Sequence, residues 1–207
     1  MKTMEMQRKE AVSLLAEVDG KDLRPKERIA IPPQDMPAQD PSQRVHNMEE
    51  VAVGYAPEQV RLEAMRCLQC KTAPCIRGCP VKIDIPGFIR EAAEGNFEES
   101  LAVIKRSSLL PAICGRVCPQ ENQCQETCTV GRSLKDVGKA VSVGRIERFV
   151  ADYERKWVPA HFRVLKRRRE KKSLLLEVDR RVSPQRRIFV EPDMKSWYLR
   201  PSTKREV

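Results

Sequence analysis

The sequence predicts a mainly α-helical fold built around irregular, cysteine-bearing loops. Three observations predict it. Apolar residues recur at helical spacing in several segments, no stretch before residue 155 alternates as a half-buried strand would, and all eight cysteines fall between residues 67 and 128. No apolar run approaches the roughly 18 to 20 residues that span a bilayer. The first twenty residues, MKTMEMQRKEAVSLLAEVDG, place charges on both sides of a short apolar patch and lack a small-residue cleavage site, which is unlike a secretory signal. A reducing cytoplasm is the expected setting.

The chain divides into three parts. In residues 1–55, the first twenty carry a short amphipathic helix with Val12, Leu14, Leu15 and Val18 as its apolar side. Residues 24–47 are rich in proline, which removes backbone donors and fixes torsions, and read as an extended segment laid along a partner surface. Residues 56–154 form the helical domain. Pro57 suits a first helical turn, and Val60, Ala64 and Leu68 follow at i, i+4 and i+8, so this helix delivers the first cysteines. After Pro86, GFIREAAEG and NFEESLAVIKRSS read as two short helices split at Gly95, with Asn96 capping the second. From Lys139, a stripe of Val143, Ile146, Phe149, Val150 and Tyr153 marks a last helix. Residues 155–207 are a basic tail.

The formal charge of +10 points to nucleic acid or an anionic surface, but its distribution argues otherwise. Residues 155–207 hold 17 Lys and Arg against 6 Asp and Glu, leaving 22 against 23 for the rest. The cysteine region is electrically balanced. Neither nucleic acid nor a membrane is expected as its partner.

The chemistry lies in two cysteine runs, CLQCKTAPCIRGCP (Cys67 to Pro80) and CGRVCPQENQCQETC (Cys114 to Cys128). Disulfides fit the even count but conflict with a reducing compartment. Structural zinc favours paired C-x2-C spacings, and Cys67/Cys70 alone has one. Unliganded core cysteines would have no reason to gather in two Cys-Pro runs. Iron–sulfur clusters need several thiolates around a bulky cube, which loops supply from different directions. In two-cluster ferredoxins the cysteine before proline serves the other cluster. By that logic Cys79 crosses over, and Cys118, Cys124 and Cys128 make two interleaved cubes feasible.

RCLQCKTAPCIRGCPVKIDIPGFI with CGRVCPQENQC resembles the N-terminal two-cluster domain of the small (beta) subunit of bacterial glutamate synthase. It is equally similar to the large subunit of NADH-dependent ferredoxin:NADP oxidoreductases and to the N-terminal domain of dihydropyrimidine dehydrogenase. The resemblance covers roughly residues 35–154. It implies an alpha-helical ferredoxin-like domain with two [4Fe-4S] clusters. Carried over by position, Cys67, Cys70, Cys75 and Cys128 hold one cluster, and Cys79, Cys118 and Cys124 hold the second. A side-chain oxygen supplies the remaining ligand in relatives, and Glu147 in GRIERF matches it; the bland reading of Glu147 is a solvated helix face. Cys114 matches a position that is not a ligand. No catalytic residue is expected in this chain, and His46 and His161, far from ligand spacing, read as surface or packing residues.

In relatives this domain leads into a flavin domain opened by a Gly-rich phosphate loop, where FAD and NADPH bind. Residues 155–207 contain no glycine. Leu176 to Val182 can be encoded TTG GAA GTG GAC CGG CGG GTC, which from the third base reads Gly-Ser-Gly-Pro-Ala-Gly. The same register from Arg169 can give a strand before this loop, and Pro192 to Arg200 can give a second strand ending in Glu. The tail is therefore expected to be an out-of-frame remnant of a nucleotide-binding domain, with the break between about 155 and 169 and no selected core. The implied function is an iron–sulfur electron-transfer module relaying single electrons between a flavin and a redox partner. A non-catalytic adaptor or a zinc-binding structural domain is the alternative.

Overall fold

A computed structural model describes residues 3–157. They belong to one compact unit, Met1–Phe162. The expectations for the tail, including its frame and lack of order, and for His161 lie outside the described residues.

Ten α-helices and two short 3₁₀ turns make up the described residues, with no strand beyond an isolated antiparallel bridge between Ala38 and Ala52. The order is α1 (Met4–Val18), α2 (Pro25–Ala30), α3 (Pro41–Arg44), α4 (Pro57–Met65), α5 (Pro74–Gly78), α6 (Ile85–Glu94), α7 (Phe97–Lys105), α8 (Pro111–Val117), α9 (Thr129–Ser133) and α10 (Val143–Trp157). The fold is mainly helical. No described helix is long and apolar enough to cross a membrane.

Six of these helices, α2, α3, α4, α5, α6 and α8, carry proline in their first two positions. The first turn of a helix has no use for that missing N–H, and the ring presets φ. This corrects in part the reading of residues 24–47 as an extended segment: Pro25 and Pro41 start α2 and α3, while residues 32–40 between them hold no helix. Nor does that stretch leave the domain to find a partner. Ile31 packs with Ala11 and Leu62 in a small core between α1 and α4, with Leu14, Val18, Leu23 and Met65 around it. Ala11, Leu14, Leu15 and Val18 therefore make the inner side of α1, whereas Val12 is exposed.

The main core is formed by Val60 and Ala64 of α4, Phe88, Ile89 and Ala92 of α6, Leu101 and Ile104 of α7, and Ile146 and Val150 of α10. α4 stops at Met65, so Leu68 packs on this core from the following loop. Gly95, at φ +89°, ends α6 as a left-handed cap, a conformation that costs glycine little. Asn96 occupies the capping position of α7, but its side-chain amide donates to Glu91 and Glu94 instead of capping the helix. Phe97 stacks edge-on against Phe149 with ring centres 4.9 Å apart, which locks α7 to α10. Phe149 and Tyr153 are partly buried beside the fully buried stripe of α10.

A buried ion pair ties three segments together just ahead of the first cysteine. Glu63 and Arg66 are both fully buried and meet at 2.6 Å. Glu63 accepts the backbone N–H groups of Gln34 and Ser142, while Arg66 donates to the carbonyls of Ile31, Lys139 and Ala140. The N-terminal segment, α4 and the approach to α10 are thereby held in register. Arg28 adds to this from α2, donating to the carbonyls of Met65 and Cys67.

Candidate metal centres

The chain enters the first cysteine run from the clamped end of α4 and immediately turns sharply. Gln69 (φ 49°), Ala73 (φ 36°) and Lys82 (φ 56°) all take positive φ, a region that L-residues rarely adopt. Three such residues in one short stretch wind the backbone around a point rather than along an element, and strain of this kind gathers at ligand sites. α5 lies within this winding, with Cys75 in its first turn and Cys79 as its C-terminal cap. Cys79 caps the helix with extended backbone (φ −85°, ψ 122°), so the chain beyond it leaves the helical path. The two runs touch at Gly78, where an added Cβ would lie 2.5 Å from the Gln123 carbonyl oxygen.

The cysteines divide between two pockets. Cys67, Cys70, Cys75 and Cys128 line the first, walled by Leu68, Ile89, Val130 and Val141. Cys79, Cys118, Cys124 and Glu147 line the second, and Cys114 joins them there. Ile85 and Val143 line both and form a shared apolar wall. Cys79 is thus in a different pocket from its run-mates, and so is Cys128.

All eight cysteines are free thiols, so the disulfide alternative has no counterpart in the structure. They are not idle core residues either, since each lines one of the two pockets. Among the described residues, no three His, Cys, Asp or Glu side chains converge as they would on one ion. Around a single zinc, with Zn–S near 2.3 Å, sulfurs crowd to within about 4 Å of one another. Thiols ringing a pocket suit a wider group.

Burial holds several thiols of these pockets in their protonated form. Burial pushes the Cys67 thiol up to about 11 and Cys75 to about 12, with Cys67 adding to the effect on Cys75. In the second pocket burial raises Cys124 to about 12, helped by Cys79, and raises Cys118, helped by Cys114. Buried donors of this kind stay neutral until a metal replaces their protons.

Glu147 is the telling residue. It is 6% exposed, which replaces the solvated-face reading of it, and its Oε1 is buried without a hydrogen-bond partner. Burial alone lifts its carboxyl to about 7. An uncompensated buried carboxylate is costly, and such groups in native proteins are paired or bind metals. The residues present therefore fit an iron–sulfur group.

α10 brings Glu147 to this place, and α8 brings Cys114 and Cys118. The helices cross closely because Gly115 has no side chain: a Cβ there would lie 2.6 Å from the Arg148 backbone nitrogen. Arg116, donating to Glu50 and Asp152, clips the same crossing from outside. In the first pocket, Thr129 Oγ lies 3.2 Å from Cys70 Sγ, a contact that sequence spacing gave no sign of. Cys114, at a position that the resemblance does not make a ligand, lines the second pocket one turn before Cys118, the C-terminal cap of α8.

Comparison with known proteins agrees with this architecture. The chain is 36% identical over 107 residues to an NAD-dependent dihydropyrimidine dehydrogenase subunit PreT of Salmonella typhimurium, covering 52% of this chain and 25% of the relative. It is 35% identical over 123 residues to a glutamate synthase [NADPH] small chain of Halomonas elongata, covering 57% and 25%. A PreT subunit of Escherichia coli K12 is 41% identical over 92 residues, covering 44% and 21%. The chain thus spans about a quarter of the length of these relatives. Residues 44–158, more than half of the chain, match the family described as dihydropyrimidine dehydrogenase domain II, 4Fe-4S cluster, and the chain belongs to that family.

Proposed function

We propose that this chain is a two-cluster electron-transfer module. Cys67, Cys70, Cys75 and Cys128 hold one [4Fe-4S] cluster, and Cys79, Cys118, Cys124 and Glu147 hold the other. The observation that carries this reading is the division of donors between two pockets, one of which contains the orphaned oxygen of Glu147. Each cluster, when bound, supplies a site that takes up and releases one electron at a time.

The chain's own residues do the rest. Ile85 and Val143 separate the pockets while keeping them adjacent, and Leu68, Ile89, Val130 and Phe88 limit water around the sulfurs. Burial, hydrogen bonds to sulfur and ligand type are the means by which a protein sets such potentials. A carboxylate in one pocket and none in the other makes the two sites unequal. That inequality gives electron flow a direction.

The redox partner is a flavin-bearing domain or subunit, with FAD and NADPH bound there rather than here. The names of two relatives, an NAD-dependent dehydrogenase subunit and a glutamate synthase [NADPH] small chain, support the nicotinamide part of this assignment. Leu110, which precedes α8, and Ile113 and Val117 within it are exposed on the helix that carries Cys114, and offer an apolar face for docking that domain. The setting is the cytoplasm, where free thiols persist.

The test is anaerobic purification followed by metal, sulfide and flavin analysis. About eight irons per chain, as two four-iron cubes require, are expected, without zinc and without flavin. Zinc in place of iron, or about four irons, overturns the reading. Glu147→Ala should change the visible and paramagnetic spectra of the second cluster; unchanged spectra and potentials would remove Glu147 from the ligand set.

A further inference from the structure

The second pocket holds one more thiol or carboxylate than four iron corners use. Cys79, Cys118, Cys124 and Glu147 line it, and so does Cys114. Cys114 sits one turn before Cys118 on α8, whose last turn is closed by the Cys118 N–H donating to the Cys114 carbonyl at 3.1 Å. Residues so spaced share a helix face, so the Cys114 thiol is a neighbour of an assigned ligand. Its sulfur has a weak contact at 3.8 Å with the Ser108 hydroxyl, and its side chain is half-buried. Its other polar neighbour is the Cys118 side chain itself, to which it hydrogen-bonds, so the thiol already lies against an assigned ligand.

The residue opposite is the exception among the ligands. Glu147 offers the sole oxygen in a set of sulfurs, and its Oε1 is buried with no protein partner. The Gly115 crossing keeps α10 against α8 and so holds Glu147 near the helix that bears Cys114. Thiolate is the softer donor and the one iron–sulfur clusters ordinarily take.

We propose that Cys114 is an alternate ligand of the second cluster, able to take the fourth iron position in place of Glu147. This rests on the two-cluster reading above. The exchange is electron-neutral: an S–Fe bond forms as an O–Fe bond breaks, and the thiol proton leaves with the released carboxylate. The pocket then has two ligation states, one with a hard oxygen and one all-sulfur, which differ in potential and in spectrum.

The experiment compares the full chain, reconstituted without oxygen, as wild type, Glu147→Ala, Glu147→Gln, Cys114→Ala and the Glu147→Ala/Cys114→Ala pair. Iron is counted, and free thiols are alkylated with iodoacetamide and mapped by mass spectrometry. Wild type is expected to hold about eight irons with Cys114 alkylated, as two four-iron cubes leave one cysteine over. Both Glu147 variants should keep that iron while Cys114 becomes protected, and the double variant should fall to about half. A Glu147→Ala chain that drops to about four irons overturns the proposal, as does one that keeps its iron with Cys114 still alkylated as fast as in wild type. If the double variant fails to fold, Cys114 protection in the single variants decides. A wild-type chain without two clusters is a different failure, and it removes the reading beneath.

Discussion

Gly115 of α8 and Arg148 of α10 approach so closely that a Cβ at Gly115 would lie 2.6 Å from the Arg148 backbone nitrogen and 2.8 Å from the Gly144 carbonyl. These are backbone atoms, so no side chain can swing aside to make room. Gly115→Ala must push the helices apart, at about 1–3 kcal/mol for overpacking of this kind. Because Cys118 and Glu147 sit on either side of this crossing, the cost should reach the second pocket first. We expect a lower melting temperature and a selective loss of the second cluster's signal, with the first cluster kept. Equal loss of both signals, or none, would contradict this.

The Glu63–Arg66 pair carries a second prediction. Replacing one member of a buried pair costs about 3–5 kcal/mol because it strands the other. Isolated buried pairs can often be replaced together by apolar residues with little loss. Here the usual rescue should fail. Removing both side chains would strand the N–H groups of Gln34 and Ser142 and the carbonyls of Ile31, Lys139 and Ala140. Glu63→Leu/Arg66→Met is therefore expected to be no more stable than Glu63→Gln in a urea titration. Recovery to near wild-type stability would show that the pair is an isolated one.

How much of this was legible in the sequence depends on the kind of signal. The long amphipathic stripe of α10 and the apolar positions of α6 and α7 are periodic over several turns and could be read directly. α2, α3, α5, α8 and α9 are four to seven residues long, too short to display a period, and the prolines that open most of them look like interruptions. The two cysteine runs were plain, and the place of Cys79 before Pro80 marked it for the second pocket. Glu147 could be singled out through family resemblance alone; its lack of a partner is a property of the folded pocket. The Glu63–Arg66 network and the Thr129–Cys70 contact join residues far apart in the chain, and no local pattern encodes them.

The Thr129 contact predicts a potential. In the free protein the Cys70 thiol donates to Thr129 Oγ at 3.2 Å. Once that thiol has lost its proton to become a ligand, the hydroxyl must supply the hydrogen, and the bond reverses. A donor to the sulfur favours the more negative, reduced state. Thr129→Val should therefore lower the midpoint potential of the first cluster. A differential of about 1 kcal/mol, ordinary for a hydrogen bond, corresponds to about 40 mV for one electron. Serine, which keeps the hydroxyl, should restore most of it, and a shift in the second cluster instead would place Thr129 wrongly.

Ala73 tests the strain in the first run. It precedes α5 at φ 36° and ψ 62°, a left-handed conformation that costs an L-residue roughly 1–2 kcal/mol and glycine little. Ala73→Gly should raise the stability of the metal-free chain by about 0.5–1 kcal/mol, since the greater freedom of glycine in the unfolded state offsets part of the relief. A thermal melt of the metal-free protein would show it, and a decrease would mean that Ala73 is held without strain.

The basic tail yields the last prediction. We propose that it is read out of frame from sequence that once encoded a nucleotide-binding domain. The family match ends at residue 158, and the tail's entire excess of Lys and Arg lies beyond residue 154. With permitted codons, a single shifted register can turn Leu176 to Val182 into a Gly-rich phosphate loop, with strand-like stretches before and after it at the spacing such domains use. A functional basic segment would have no reason to conceal that pattern, whereas a displaced frame produces arginine as a by-product of GC-rich glycine and alanine codons. Sequencing the coding locus should find, in the alternative frame, the strand, the loop and the acidic residue that follows the second strand. If that frame is broken by stop codons or lacks the glycines across residues 169–200, the tail belongs to the protein on its own account, and its charge has to be explained by a partner.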